Sequence, residues 1–159
     1  MRRNRLLCLL LALTLTLSSC AAAAAATAAQ EEKNCQLYYL VRDLDRAAGG
    51  DAIAGEVSTL PKESDSPPGT QAEDRMNALL SGPAGSDLQS PFPEGTRLLG
   101  VEIRGSHAKV DLSSAYRNLS GIDLTLADYC ITLTLTQLSA IRSVSILVRG
   151  QELSYRDSQ

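Results

Sequence analysis

The chain is poor in the residues on which most catalytic and metal chemistry depends. Among its 159 residues there is no Trp, one Phe, one His and four Cys. One imidazole and four scattered thiols cannot build a His-rich catalytic metal site or a paired C-x-x-C zinc site. A formal net charge of −3 gives no basic footprint for nucleic acid. What remains is ordinary globular composition, 44% hydrophobic and 21% charged, with length enough for one domain and its core.

The first residues stand apart from that domain. Arg2, Arg3 and Arg5 form a basic start, followed by an apolar run from Leu6 to Leu17. At roughly 1.5 Å per residue this run reaches only about 18 Å as a helix, too short to span a bilayer core of about 30 Å. It therefore reads as the hydrophobic part of an export signal over residues 1–19. Leu17-Ser18-Ser19-Cys20 follows directly and resembles the bacterial lipobox, in which small residues precede a Cys that receives lipid and becomes the mature N-terminus. The alternative is ordinary cleavage within Ala21–Ala26, which offers several A-x-A sites. The position of Cys20 directly after the apolar run favours lipidation, with fatty acyl chains such as palmitate, and places the protein on the outer face of the cytoplasmic membrane. Residues 20–34 are Ala-rich, without large apolar side chains to bury, and read as a tether. Removing residues 1–19 takes away three Arg and no acid. This leaves 12 basic against 18 acidic residues, so the exported chain carries −6.

Cys35 and Cys130 are the thiols left to the folded part. Export permits a disulfide between them, but spacing alone equally fits two buried thiols acting as small hydrophobes.

Along the domain, Gln36–Val41 reads as a strand and Ile53–Leu60 as a weaker one. Pro61–Gly69 is a loop by composition. Thr70-x-x-Glu73 is a capping box, and Ala72, Met76, Leu79 and Leu80 form one helical stripe ended by Gly82-Pro83. Ala84–Glu94 reads as a loop. Leu99, Val101 and Ile103 alternate with polar residues, as do Ala108, Val110 and Leu112; Gly105-Ser106 between them suits a two-residue turn. That hairpin sets Val101 opposite Val110 and Glu102 opposite Lys109. Ser113–Gly121 is loop-like. The stretch 124–139 is ambiguous. Ile131–Thr136 alternates strictly, as a strand would, yet Thr125-x-x-Asp128 could cap a helix. In that helix Leu126, Cys130 and Leu133, with Ala127, Ile131, Leu135 and Leu138, would make a wide buried face. Ser143–Arg149 reads as a strand, followed by a short tail.

Reaction chemistry is thinly represented. His107 falls on the polar side of the hairpin beside Arg104 and Lys109, and Asp111 stands about 13 Å further along the strand at roughly 3.3 Å per residue, too far to orient it. Neither a G-x-S-x-G nor a P-loop lysine motif is present. Asp43-x-Asp45 lacks the glycine and terminal Glu of a calcium loop. No catalytic residue, metal ligand or cofactor is expected.

Taken in order, several signposts resemble one family. They are Tyr38-Tyr39 in the first strand, Leu79-Leu80-Ser81-Gly82-Pro83, Pro93-Glu94-Gly95-Thr96, Val110-Asp111-Leu112-Ser113, Leu133-Thr134-Leu135-Thr136-Gln137, and Val144-x-Ile146-x-Val148-x-Gly150. Together they look like the GerMN domain of sporulation and spore germination, over residues 35–151, with 152–159 as a tail. One copy is present, where some members carry two. The resemblance implies an α+β fold, a small mixed sheet with two helices packed on one face, similar to the ring-building motifs of secretion machinery. It also implies that the 124–139 stretch is a helix. Asp111, Tyr39 and Gln137 become candidates for structural or interaction roles, Asp111 by anchoring loop backbone near Ser113-Ser114. The expected function is a non-enzymatic, membrane-anchored interaction or assembly module, with an envelope protein or a second copy as partner. The alternative is an envelope lipoprotein whose 42–69 segment folds over a small molecule or cell-wall fragment.

Overall fold

The computed structural model describes residues 34–43, 51–60 and 66–153, all within one compact unit. The export signal, Cys20 and most of the tether lie outside the described residues. The elements run β1 (Asn34–Val41), β2 (Ile53–Thr59), α1 (Pro68–Leu80), β3 (Leu88–Gln89), β4 (Leu98–Arg104), β5 (His107–Leu112), a 3-10 helix (Ser114–Asn118), α2 (Gly121–Leu135) and β6 (Ser143–Val148). The class is α+β with two α-helices, but the strands form two three-stranded sheets where one small sheet was expected. The first, β2-β1-β3, is antiparallel; the second, β4-β5-β6, pairs β4 with β5 antiparallel and β5 with β6 parallel. The first sheet stops short because β3 is only two residues long, and side chains of Thr134 in α2 and Gln137 just beyond it take up more of the same edge of β1.

Both helices supply the apolar layer these sheets need. Ala72, Met76 and Leu79 of α1 are buried as their spacing requires, while Leu80 is half-buried. The helix starts two residues before the expected capping box. Pro67 is the N-cap and Pro68 opens the helix, where its missing N–H costs nothing and its fixed φ suits the first turn. Thr70 therefore sits inside the first turn and caps nothing; the Gln71 side chain instead donates to Ser66 O at 2.7 Å. Gly82, at φ +90°, takes the chain out of the helix.

The hairpin has the expected register, Val101 against Val110 and Glu102 against Lys109, around Gly105 at φ +61°. One apolar residue departs from it. A bulge between Leu98 and Gly100 makes Leu99 the extra residue, so Leu98 pairs with Leu112 and Leu99 stays 55% exposed. Two stretches read as loops carry structure. Ser114–Asn118 is a 3-10 turn that buries Tyr116 completely, and Leu88–Gln89 adds a strand to β1. The long 42–69 segment contributes an edge strand, β2, at its centre.

In α2 the helix prevails over the local alternation. Its threonine hydroxyls find partners within the helical backbone: Thr125 and the C-cap Thr136 donate to the carbonyls of Gly121 and Thr132. Leu124, Ala127, Cys130, Ile131, Thr134 and Leu135 face the core. Leu126 and Leu133, expected there, do not; Leu126 is half-buried and Leu133 is 38% exposed. Ser120 is the N-cap, so Thr125 and Asp128 lie within the helix, and Asp128 accepts from the Tyr116 hydroxyl at 2.6 Å. At the far end, β1 begins at Asn34, and Leu153, past β6, is buried.

Candidate interaction surface

The sequence-derived candidates Asp111, Tyr39 and Gln137 do not converge on one site. Each holds backbone. Asp111, on the outer side of β5, accepts the Gly150 N–H at 2.9 Å. It thereby fixes the turn after β6, in which Arg149 and Gly150 both have positive φ (53° and 77°). This is not the Ser113-Ser114 loop expected for it. Ser113 serves that region itself, accepting from Arg97 N at 3.0 Å and donating to Gly95 O at 3.1 Å. Tyr39 is fully buried and donates to Ala78 O at 3.3 Å, tying β1 to α1. Burial, reinforced by the negative charge of Glu56, pushes its hydroxyl up to about 12.

Gln137 shows why its motif falls at the end of α2. Its side-chain amide faces the backbone of Gln36, accepting from Gln36 N at 3.2 Å and donating to Gln36 O. One step along, Thr134 Oγ1 accepts the Tyr38 N–H at 3.1 Å. Thr134, in the last turn of α2, and Gln137, just past the C-cap Thr136, act as a substitute strand along β1 where β3 does not reach. An edge that would otherwise invite another chain is closed.

Several polar groups were invisible in the sequence because only the fold assembles them. Glu56 accepts from Ala84 N and Gly85 N, at 3.0 and 2.9 Å, clamping the loop after α1. Arg75 is buried and donates to Thr134 O at 3.4 Å. Burial holds this guanidinium below its usual range, with the Cys35 thiol acting in the opposite sense. Cys35 and Cys130 are both free and buried. Burial raises the Cys35 thiol, against an opposing effect from Arg75, and pushes Cys130 up to about 12. Both are protonated, inert side chains at neutral pH.

His107 meets Ser143 across the β5–β6 pair, Nδ1 to Oγ 2.8 Å apart, in an exposed position. Asp111, on the same face, is occupied by Gly150. Among the described residues, no group of three or more His, Cys, Asp or Glu is placed to hold a metal ion, and no helix is long and apolar enough to cross a membrane. A cleft of about 860 Å³ opens at one end of the first sheet, lined by Tyr38, Val41, Ile53, Asp43, Asp51 and Asp87 among others.

Among the described residues, exposed apolar side chains stand singly at Val57 and Leu99 and gather on the outer side of α2. Ile122 is 68% exposed, Tyr129 56% and Leu133 38%, with half-buried Leu126 between them. A helix that is apolar on its outer side as well as its inner one ordinarily belongs inside a larger assembly.

Comparison with solved structures places this architecture. The first GerMN domain of the sporulation protein GerM from Bacillus subtilis superposes with a TM-score of 0.59 at 22% identity, over 76% of this chain and 85% of that one. The tandem GerMN domains of the same protein give 0.59 at 23%, over 76% of this chain and 40% of theirs. A Clostridium perfringens protein described as a lipoprotein gives 0.50 at 24%, over 76% and 78%. No curated protein sequence matches significantly. Residues 36–154 match the family Germane, described as sporulation and spore germination. That span takes in nearly all of both sheets, both helices and every signpost from Tyr38-Tyr39 to Gly150, and the chain belongs to this family.

Proposed function

We propose that this protein is a non-enzymatic envelope lipoprotein, held to the outer face of the cytoplasmic membrane through Cys20, whose domain docks other proteins during sporulation or germination. The observation that carries the reading is the apolar outer side of α2, on a domain whose candidate polar residues are spent on its own backbone. Family membership supports the biological setting. The Clostridium perfringens protein described as a lipoprotein and the sporulation protein GerM, alike in fold, support an envelope location. Fatty-acid labelling tests the anchor: wild type takes up label and Cys20→Ala does not, and equal label in both refutes it. Proximity labelling from the full chain tests docking, with reproducible envelope-protein neighbours expected and their absence counting against it.

The cleft beside Tyr38 and Ile53 favours a second reading, a binding site for a small molecule or wall fragment. Its lining mixes Asp43, Asp51 and Asp87 with Arg42 beside the apolar Tyr38, Val41 and Ile53. Soluble peptidoglycan fragments would then raise the melting temperature without assembly; no shift at saturating fragment removes this reading.

A further inference from the structure

Open strand edges invite other chains, and proteins blunt them with bulges, Lys, Pro, charge or covering elements. Here the far edge of β1 is closed by β3, Thr134 and Gln137. β4 is interrupted by the bulge at Leu99 and carries the Glu102–Arg104 ion pair at 2.7 Å. At the end of β6, the backbone of Val148 is taken up by Gln151 and the Arg117 guanidinium. β2 has none of these devices. It pairs with β1 over seven consecutive residue pairs without a shift, and Ile53–Thr59 holds no Lys, Arg or Pro. Its one charge, Glu56, lies on the core side opposite Leu37 and is committed to the N–H groups of Ala84 and Gly85.

The ladder fixes which backbone groups of β2 face outward. The Val41 N–H donates to Ala52 O, while the Tyr38 N–H points to the opposite edge, at Thr134. Alternation along the strands therefore turns the even-numbered residues of β2 to β1. Ile53, Gly55, Val57 and Thr59 aim their N–H and C=O away from the sheet, and among the described residues nothing bonds to these groups. Donors and acceptors that repeat every two residues, about 6.7 Å, match an extended backbone. The side chains of the same residues lie on the outer face. Val57 is 61% exposed, Ile53 is half-buried, and the Tyr38 ring lies across Gly55, where a Cβ would stand 3.4 Å from it. A β-branched side chain on an added strand suits that face. Residues 51–60 hold two acids and no base. A second copy of β2, centred and antiparallel, would set Glu56 against Glu56, whereas Lys or Arg there is attracted. We infer that the free edge of β2 takes an extended, β-branched and basic segment of another protein as an added antiparallel strand. This rests on the docking reading above and gives it a second surface, in which backbone bonds supply affinity and alternate side chains supply specificity.

The test uses the full chain in detergent micelles and a capped heptapeptide alternating Val and Lys. In the free protein, hydrogen exchange is expected to be fast at Ile53, Gly55, Val57 and Thr59 and slow at Ala54, Glu56 and Ser58. The peptide is expected to slow the first group. The same peptide N-methylated on its valines, whose amides face β2 when their side chains cover Val57, is expected to bind at least about tenfold more weakly. Its counterpart with Glu in place of Lys is expected to lose as much. Val57→Pro removes an outward N–H and no ladder bond, so it is expected to weaken binding similarly with an unchanged melting temperature. The methylated peptide makes the same test without altering the protein. Slow exchange at the four amides in the free protein overturns the inference, as does equal binding of either control peptide or of Val57→Pro. Edge protection that rises with protein concentration in the absence of peptide places a second copy there and overturns the partner named. The variant Tyr129→Lys, Leu133→Lys is expected to bind the peptide as the wild type does. No peptide binding, with α2 still capturing envelope proteins, overturns this surface alone; failure of both overturns the docking reading.

Discussion

Asp111 lies next to a turn whose backbone is unfavourable without it. Arg149 is the only non-glycine with positive φ among the described residues, and Asp111 binds the N–H immediately after it. Asp111→Ala removes a charge-assisted hydrogen bond and leaves that turn unheld; it is expected to cost about 1.5–3 kcal/mol, read by chemical denaturation. A loss within about 0.5 kcal/mol, the usual range of a plain surface substitution, would contradict the assignment. The buried thiol and phenol predict a pH effect whose sign is fixed. Cys130 stays protonated in the fold up to about 12, against an ordinary value of 9.0, and Tyr39 up to about 12 against 10.0. Between those values the unfolded chain releases protons that the folded chain keeps, so stability is full below about pH 9 and falls as pH rises towards 12. Melting temperatures across this range should decline, and Cys130→Ala should flatten the part that begins near pH 9. An identical slope in both proteins would contradict a buried protonated thiol.

At the scale of elements, α2 is where local sequence and fold diverge. Ile131 and Leu133 would share a face in a strand and behave alike on truncation. In the helix one is fully buried and the other 38% exposed. Ile131→Ala is expected to cost about 2–5 kcal/mol, and Leu133→Ala under about 1 kcal/mol; equal costs would restore the strand. The end of α2 makes a second claim. Thr134→Val removes the acceptor for the Tyr38 N–H but keeps the side-chain shape, and Gln137→Ala uncovers Gln36. The first, at a buried side chain, is expected to cost about 1–3 kcal/mol, and the second, between exposed groups that water can satisfy, about 0.5–1.5 kcal/mol. Hydrogen exchange should accelerate at Tyr38 in the first variant and at Gln36 in the second, while Leu37 and Tyr39 keep their protection. Unchanged exchange at both would show that the edge is closed by something else.

Over the whole molecule, legibility followed the range of the interactions. The hairpin register could be read from alternation alone because its partners are a few residues apart and its turn requires Gly105. The stripe of α1 was visible for the same reason, though its start was misplaced: the capping box is a side-chain preference, and Pro68 opens the helix upstream of it. Alternation could not foresee the bulge that turns Leu99 outward, nor that β1 would stand at the centre of a separate small sheet instead of joining a larger one. Those outcomes depend on contacts such as Gln137 with Gln36, 101 residues apart. The roles of Asp111 and Glu56 were hidden likewise, because their partners are backbone N–H groups in distant loops that any residue could supply. Leu126 and Leu133 fit a wide buried face in the sequence, but the fold sets them with Ile122 and Tyr129 on the outer side of α2.

The central claim is that the domain works by docking through that outer side. Its most direct test is proximity labelling by the full-length protein in its native envelope, comparing wild type with the double variant Tyr129→Lys, Leu133→Lys. The account predicts that the wild type labels a reproducible set of partners. It predicts that the variant loses them while remaining exported and melting at the same temperature. An unchanged set of neighbours in a correctly folded variant would contradict it.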